Sequence, residues 1–82
     1  MVTVDFHPSF RKTYSKIKDQ GLAIKVKKQV KKIIADPEIG KPMRHARKGT
    51  REVYVPPYRL SYAYLKEENT VVFLDLYHKD EQ

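Results

Sequence analysis

Two periods of apolar residues divide this chain into elements. Residues 2–6, VTVDF, place Val2, Val4 and Phe6 against Thr3 and Asp5. That period of two predicts a short first strand with one buried face. Pro8 suits the first turn of a helix, where a missing N–H costs nothing, and Phe10, Tyr14 and Ile17 then recur at helical spacing. Gly21 is placed to end that helix in a left-handed conformation. A second helix is predicted from Leu22 to near Asp36-Pro37, with Leu22, Val26, Val30, Ile33 and Ile34 on one face and Lys25, Lys27, Lys28, Lys31 and Lys32 on the others. Two helices joined by a tight turn form an antiparallel hairpin whose apolar stripe needs a sheet to cover.

Residues 37–50 have no periodicity and hold two prolines and two glycines, so they read as a loop. Beyond it the period returns to two. Val53 and Val55 point inward and turn Glu52 and Tyr54 the other way. Pro56-Pro57 lacks ladder donors and marks a turn. From Tyr58, the residues Leu60, Tyr62 and Tyr64 share the covered face, while Arg59, Ser61 and Ala63 share the other. After a polar turn over Lys66 to Asn69, the run TVVFLDLY from Thr70 to Tyr77 is apolar on both sides, as a central strand is. Alternation sends Val72, Leu74, Leu76 and His78 to the covered side.

The expected class is α+β, in the order β-α-α-β-β-β: one domain with a mainly antiparallel four-stranded sheet and an N-terminal helical hairpin packed on one face. The other face is left open. It would present Glu52, Tyr54, Arg59, Ser61, Ala63, Asp75 and Tyr77, more charge and aromatic surface than a merely solvated face requires.

Charge sharpens this picture. The 82 residues carry a formal net charge of +7, which favours a polyanionic partner or an acidic protein that masks the charge. Residues 1–51 hold fourteen Lys/Arg against four Asp/Glu, a balance of +10, and residues 52–82 hold three against six, a balance of −3. The loop contributes Lys41, Arg44, His45, Arg47 and Lys48, so it reads either as a solvated connection or as a phosphate-gripping segment. No cysteine is present, which excludes disulfides and thiolate zinc sites. No apolar run approaches the roughly 18 residues of a membrane span. His7, His45 and His78 have no metal-ligand spacing. No membrane partner and no cofactor are expected, and an intracellular soluble protein is the default.

Cleaving RNA without a metal needs a base for the ribose 2′-hydroxyl, an acid for the departing 5′-oxygen, and cations for the charge that gathers on the phosphorane. Arg59 fits the last task, because a guanidinium donates to two phosphate oxygens at once. Glu52 and His78 are the available acid/base groups, and Tyr54, Tyr58 and Tyr77 offer stacking surfaces for splayed bases. The plainer readings stand beside these. An arginine in a strand is commonly ion-paired, here with Glu52 or Asp75, and a histidine near a terminus is commonly solvated.

The order of elements, the segment Arg51-Glu52-Val53-Tyr54-Val55, the motif Tyr58-Arg59-Leu60-Ser61-Tyr62 and the terminal Leu76-Tyr77-His78-Lys79 together resemble the RelE/ParE superfamily of toxins from type II toxin–antitoxin systems. The resemblance spans essentially the whole chain and implies the RelE-like microbial RNase fold. It implies a cytoplasmic bacterial or archaeal toxin held in a hetero-oligomer by a cognate antitoxin. RelE- and YoeB-like members enter the ribosome and cut mRNA, leaving a 2′,3′-cyclic phosphate. On that pattern Arg59 stabilises the transition state, His78 is the general acid and Lys79 stands near a family basic residue. Lys48 and Arg51 lie where phosphate-binding residues fall, with Arg44 and Arg47 in the same basic segment. The YoeB-like glutamate falls near Met43-Arg44, where this chain has no carboxylate, so Glu52 is its substitute. Two alternatives within the resemblance are a ParE-like inhibitor of DNA gyrase and a degenerate toxin that only binds antitoxin.

Overall fold

The structure, a computed structural model, describes residues 2–42 and 49–78. Strand β1 (Thr3–Phe6) leads into helix α1 (Pro8–Ser15) and helix α2 (Gln20–Ala35), followed by β2 (Lys41–Pro42), β3 (Thr50–Val55), β4 (Tyr58–Leu65) and β5 (Thr70–His78). The strands form one sheet in the order β1-β5-β4-β3-β2. β1 runs parallel to β5, and the other neighbours are antiparallel.

The helices start where side chains satisfy their free N–H groups. His7 caps α1, its Nδ1 accepting from the Ser9 N–H at 3.1 Å, and Pro8 stands in the first turn. Asp19 caps α2 by accepting from the Leu22 N–H at 3.2 Å. That cap overturns the reading of Gly21 as a left-handed stop: α1 ends at Ser15, and Gly21 lies in the first turn of α2. Ile17 accordingly falls outside α1.

α1 packs on β5 and α2 on β3. Val26 and Ile33 are fully buried from α2, and Phe10 from α1, while Leu22, Val30 and Ile34 pack around them. Opposite them lie Val55, Leu60, Tyr62, Val71, Phe73 and Leu76. Phe73 is the hub, with its ring centroid 5.2 Å from Phe6, 5.8 Å from Phe10 and 6.1 Å from Tyr62.

Two expectations about the sheet change. First, among the described residues it has five strands rather than four, because Lys41 and Pro42 of the expected loop pair with Glu52 and Arg51. Second, the register between β4 and β5 shifts at Ser61/Tyr62. Leu60 pairs with Leu76 and Ser61 with Asp75, but Tyr62 pairs with Phe73, so β5 carries one extra residue there, as a bulge does. Val71 and Phe73 are therefore buried in place of Val72 and Leu74, while Leu76 keeps its expected side. Below the bulge, the open face keeps the alternation that places Arg59, Asp75 and Tyr77 together. Among the described residues, no helix is long and apolar enough to cross a membrane.

Candidate functional site

Register builds the open face. Arg59 stands between Tyr54 of β3 and Tyr77 of β5, and Ser61 between Glu52 and Asp75. Directly opposed residues share a face, with Cβ atoms about 5 Å apart, so charged and phenolic groups of three strands converge. Arg59 Nη1 donates to Glu52 Oε1 at 2.6 Å. The Tyr77 hydroxyl donates to Glu52 Oε2 at 2.8 Å. One carboxylate thus holds an arginine with one oxygen and a phenol with the other. The Arg59 guanidinium also lies 5.8 Å from the Tyr54 ring centroid, in cation–π range, and Tyr54 itself is half exposed.

The electrostatics follow from these contacts. Burial, then the hydrogen bond to Glu52 and that residue's charge, push the Tyr77 hydroxyl up to about 12, against the opposing pull of Arg59. It is a donor at any physiological pH. The arginine side chain remains 36% exposed and the glutamate 21%. Solvent screening therefore keeps their ion pair near the ~1 kcal/mol ceiling of surface pairs. Among the described residues, Arg59 Nε is buried with no hydrogen-bond acceptor, an unsatisfied donor of the kind that calls for an explanation at a ligand site. Asp75 turns back on the chain and accepts from the Leu76 N–H at 2.8 Å.

Of the three catalytic candidates, Arg59 and Glu52 come together. His78 pairs with Tyr58, its ring meeting the Tyr58 ring edge-on at 5.8 Å between centroids. Alternation from Tyr77 gives it the side of Tyr58 and Leu60, opposite the Arg59 face. Of the residues expected to bind RNA, Tyr54 and Tyr77 lie on the open face. Arg44, Arg47, Lys48 and Lys79 lie outside the described residues. Arg51 points the other way: its Nη1 donates to the carbonyl oxygens of Glu38 at 3.0 Å and Gly40 at 2.8 Å.

The sequence reading had no role for Tyr62 beyond packing. Its hydroxyl donates to the Pro37 carbonyl at 2.8 Å and accepts from the Gly40 N–H at 2.9 Å. Burial raises its ionisation above the usual phenol range, with the bond from Gly40 and the charge of Arg51 opposing. A buried tyrosine needs a partner for its hydroxyl, and that requirement was the available signal. Among the described residues, no group of three or more His, Asp or Glu gathers closely enough to hold a metal.

A family model described as ParE toxin of type II toxin–antitoxin system, parDE, matches residues 4–82. The toxin–antitoxin complex RelBE2 from Mycobacterium tuberculosis contains a chain 32% identical to this one, with a TM-score of 0.77 over 95% of this chain and 98% of that one. The isolated RelE toxin of E. coli superposes with a TM-score of 0.80 at 18% identity, covering 95% of this chain and 84% of that one. The archaeal RelE–RelB complex from Pyrococcus horikoshii does so at 0.77 and 11% identity, covering 99% and 98%. At those identities the last two show the fold alone. No curated protein sequence matches the chain. The chain therefore belongs to the ParE toxin family of type II toxin–antitoxin systems, within the RelE/ParE superfamily that its motif residues resemble.

Proposed function

We propose that this toxin is a metal-independent endoribonuclease that cuts mRNA on the ribosome and is neutralised by a cognate antitoxin in a hetero-oligomer. The observation that carries the reading is the Arg59–Glu52 pair on the uncovered face of the sheet. Glu52 is acceptor-only as a carboxylate, so it has the chemistry to take the 2′-hydroxyl proton. Arg59 is the cation for the equatorial oxygens of the phosphorane, and its side chain, 36% exposed, keeps guanidinium N–H donors beyond the one bonded to Glu52. Tyr54 and Tyr77 border the arginine in register and offer π-faces for bases. The departing 5′-oxygen takes its proton from water at the open face, because His78 lies on the opposite side of the sheet against Tyr58. Arg44, Arg47, Lys48 and Lys79 belong to the same reading as phosphate contacts. The antitoxin partner is supported by the toxin–antitoxin complex RelBE2, one chain of which is 32% identical to this one.

The test is cleavage of mRNA on programmed ribosomes by wild type, Arg59→Ala, Glu52→Gln and His78→Ala. Loss of one well-aimed transition-state donor costs on the order of 10²–10³ in rate, and Arg59→Ala is expected to fall by that much. Unchanged cleavage in both Arg59→Ala and Glu52→Gln would remove the mechanism.

The name of the matching family model favours one second reading, inhibition of DNA gyrase without nuclease chemistry. Under it, intact mRNA would accompany accumulation of cleaved DNA–gyrase complexes.

A further inference from the structure

The three central strands do not make the open face positive. β3, β4 and β5 contribute Glu52, Asp75 and Arg59 to it, a sum of two negative charges and one positive. A phosphate approaching that surface meets an excess of like charge, at a site that has to gather anionic density. The register supplies what is missing. Lys41 of β2 lies directly across from Glu52, and opposed residues of an antiparallel pair project to the same side, with Cβ atoms about 5 Å apart. Lys41 is exposed and therefore flanks Glu52 from the β2 side, with Arg59 on the β4 side.

Two residues, one of them proline, make a weak strand, since proline donates nothing to the ladder. The preceding turn is instead held from the covered side of the sheet. Tyr62 bonds Pro37 and Gly40, and Arg51 bonds Glu38 and Gly40, four hydrogen bonds between 2.8 and 3.0 Å. Gly40 fits only because it has no side chain: a Cβ there would stand 2.6 Å from the Tyr62 hydroxyl and 3.1 Å from the Glu52 carbonyl oxygen. A solvated connection requires no such fixing. Here it sets the backbone one residue ahead of Lys41.

We infer that Lys41 is a second phosphate-contacting cation of the Arg59 face, and that Arg51, Tyr62 and Gly40 form a latch that positions it. The assignment rests on the nuclease reading above. It also gives Arg51 a positioning role in place of direct phosphate contact.

The probe is a single-stranded oligonucleotide with 2′-deoxy sugars, which the proposed reaction cannot cut, titrated with the purified toxin at several salt concentrations. Removing one cation that neutralises a phosphate of a single strand lowers the slope of log K against log salt by about 0.7. Lys41→Gln is expected to weaken binding several-fold and to lose that much slope. Lys41→Arg is expected to restore both, whereas Lys28→Gln, an exposed lysine of α2, leaves the slope closer to wild type. Tyr62→Phe, with Lys41 intact, is expected to lose part of the same slope. Wild-type affinity and slope in Lys41→Gln would overturn the assignment, and so would an equal loss in Lys28→Gln, since only net charge would then matter. Ribosomal cleavage is scored separately. A wild type that never cuts mRNA but still shows the Lys41 effect removes the nuclease reading alone. A wild type that cuts mRNA no better than Lys41→Gln, with equal oligonucleotide binding, removes the Lys41 assignment alone.

Discussion

Glu52 decides what the open face can do, because its two oxygens hold Arg59 and Tyr77 at the same time. The sequence made both the arginine and the glutamate visible, since period-two alternation alone places them on one face. The phenol's part was not visible, because nothing in a string of residues reports which tyrosine hydroxyl reaches which carboxylate oxygen. The arrangement has a direct spectroscopic consequence. With its titration pushed to about 12 by burial and by Glu52, Tyr77 should move back toward the ordinary phenol value near 10 in Glu52→Gln, read as tyrosinate absorbance. No movement would mean that the hydrogen bond is not formed in solution. The sign for stability follows from the same shift. A phenol whose folded value is raised favours the native state while protonated, so its contribution is complete below pH ~10 and is lost as pH rises toward about 12. Tyr77→Phe should therefore flatten the alkaline loss of stability in that window.

At the scale of elements, the caps and the bulge mark where pattern and structure part. The helical hairpin was legible from Leu22, Val26, Val30 and Ile33, but its turn was not. Asp19 starts α2 one residue before Gln20 and draws Gly21 inside the helix. Asp19→Ala should cost about 1 kcal/mol in chemical denaturation, the usual value of an N-cap. The bulge in β5 was invisible because Val71, Val72, Phe73 and Leu74 are all apolar, so the pattern over these four residues gives no register. The two-residue strand was hidden because its stabilisation comes from Tyr62 and Arg51, distant in sequence, rather than from its own residues. Gly40→Ala places a methyl carbon against the Tyr62 ring and hydroxyl. It should destabilise the domain by about 1–3 kcal/mol, the range for overpacking, with the loss measurable in a thermal melt. A wild-type melting temperature would mean that the turn is not held by these bonds.

For the molecule as a whole, the fold follows from one covered face and one open one. The three aromatic contacts of Phe73 tie β1, α1 and β4 to β5. Phe73→Ala should cost about 3–5 kcal/mol, a large share of the stability of a domain this small. The architecture and the identity of the open face were legible because both depend on periodicity. The placement of His78 against Tyr58 was foreshadowed by alternation, and it holds because His78 lies with Leu76 beyond the bulge. Charge is divided in the same two-sided way: the exposed lysines of α2 lie with the helical layer, while among the described residues the open face carries Arg59 and, by the inference above, Lys41. The central claim is that Arg59 meets a scissile phosphate. It is tested most directly by single-turnover cleavage of mRNA on programmed ribosomes with Arg59→Lys and Arg59→Ala. A lysine keeps the charge but not the fork. The expected result is intermediate cleavage for Arg59→Lys and a loss on the order of 10²–10³ for Arg59→Ala, with both proteins folded. Cleavage by Arg59→Ala at the wild-type rate would contradict it.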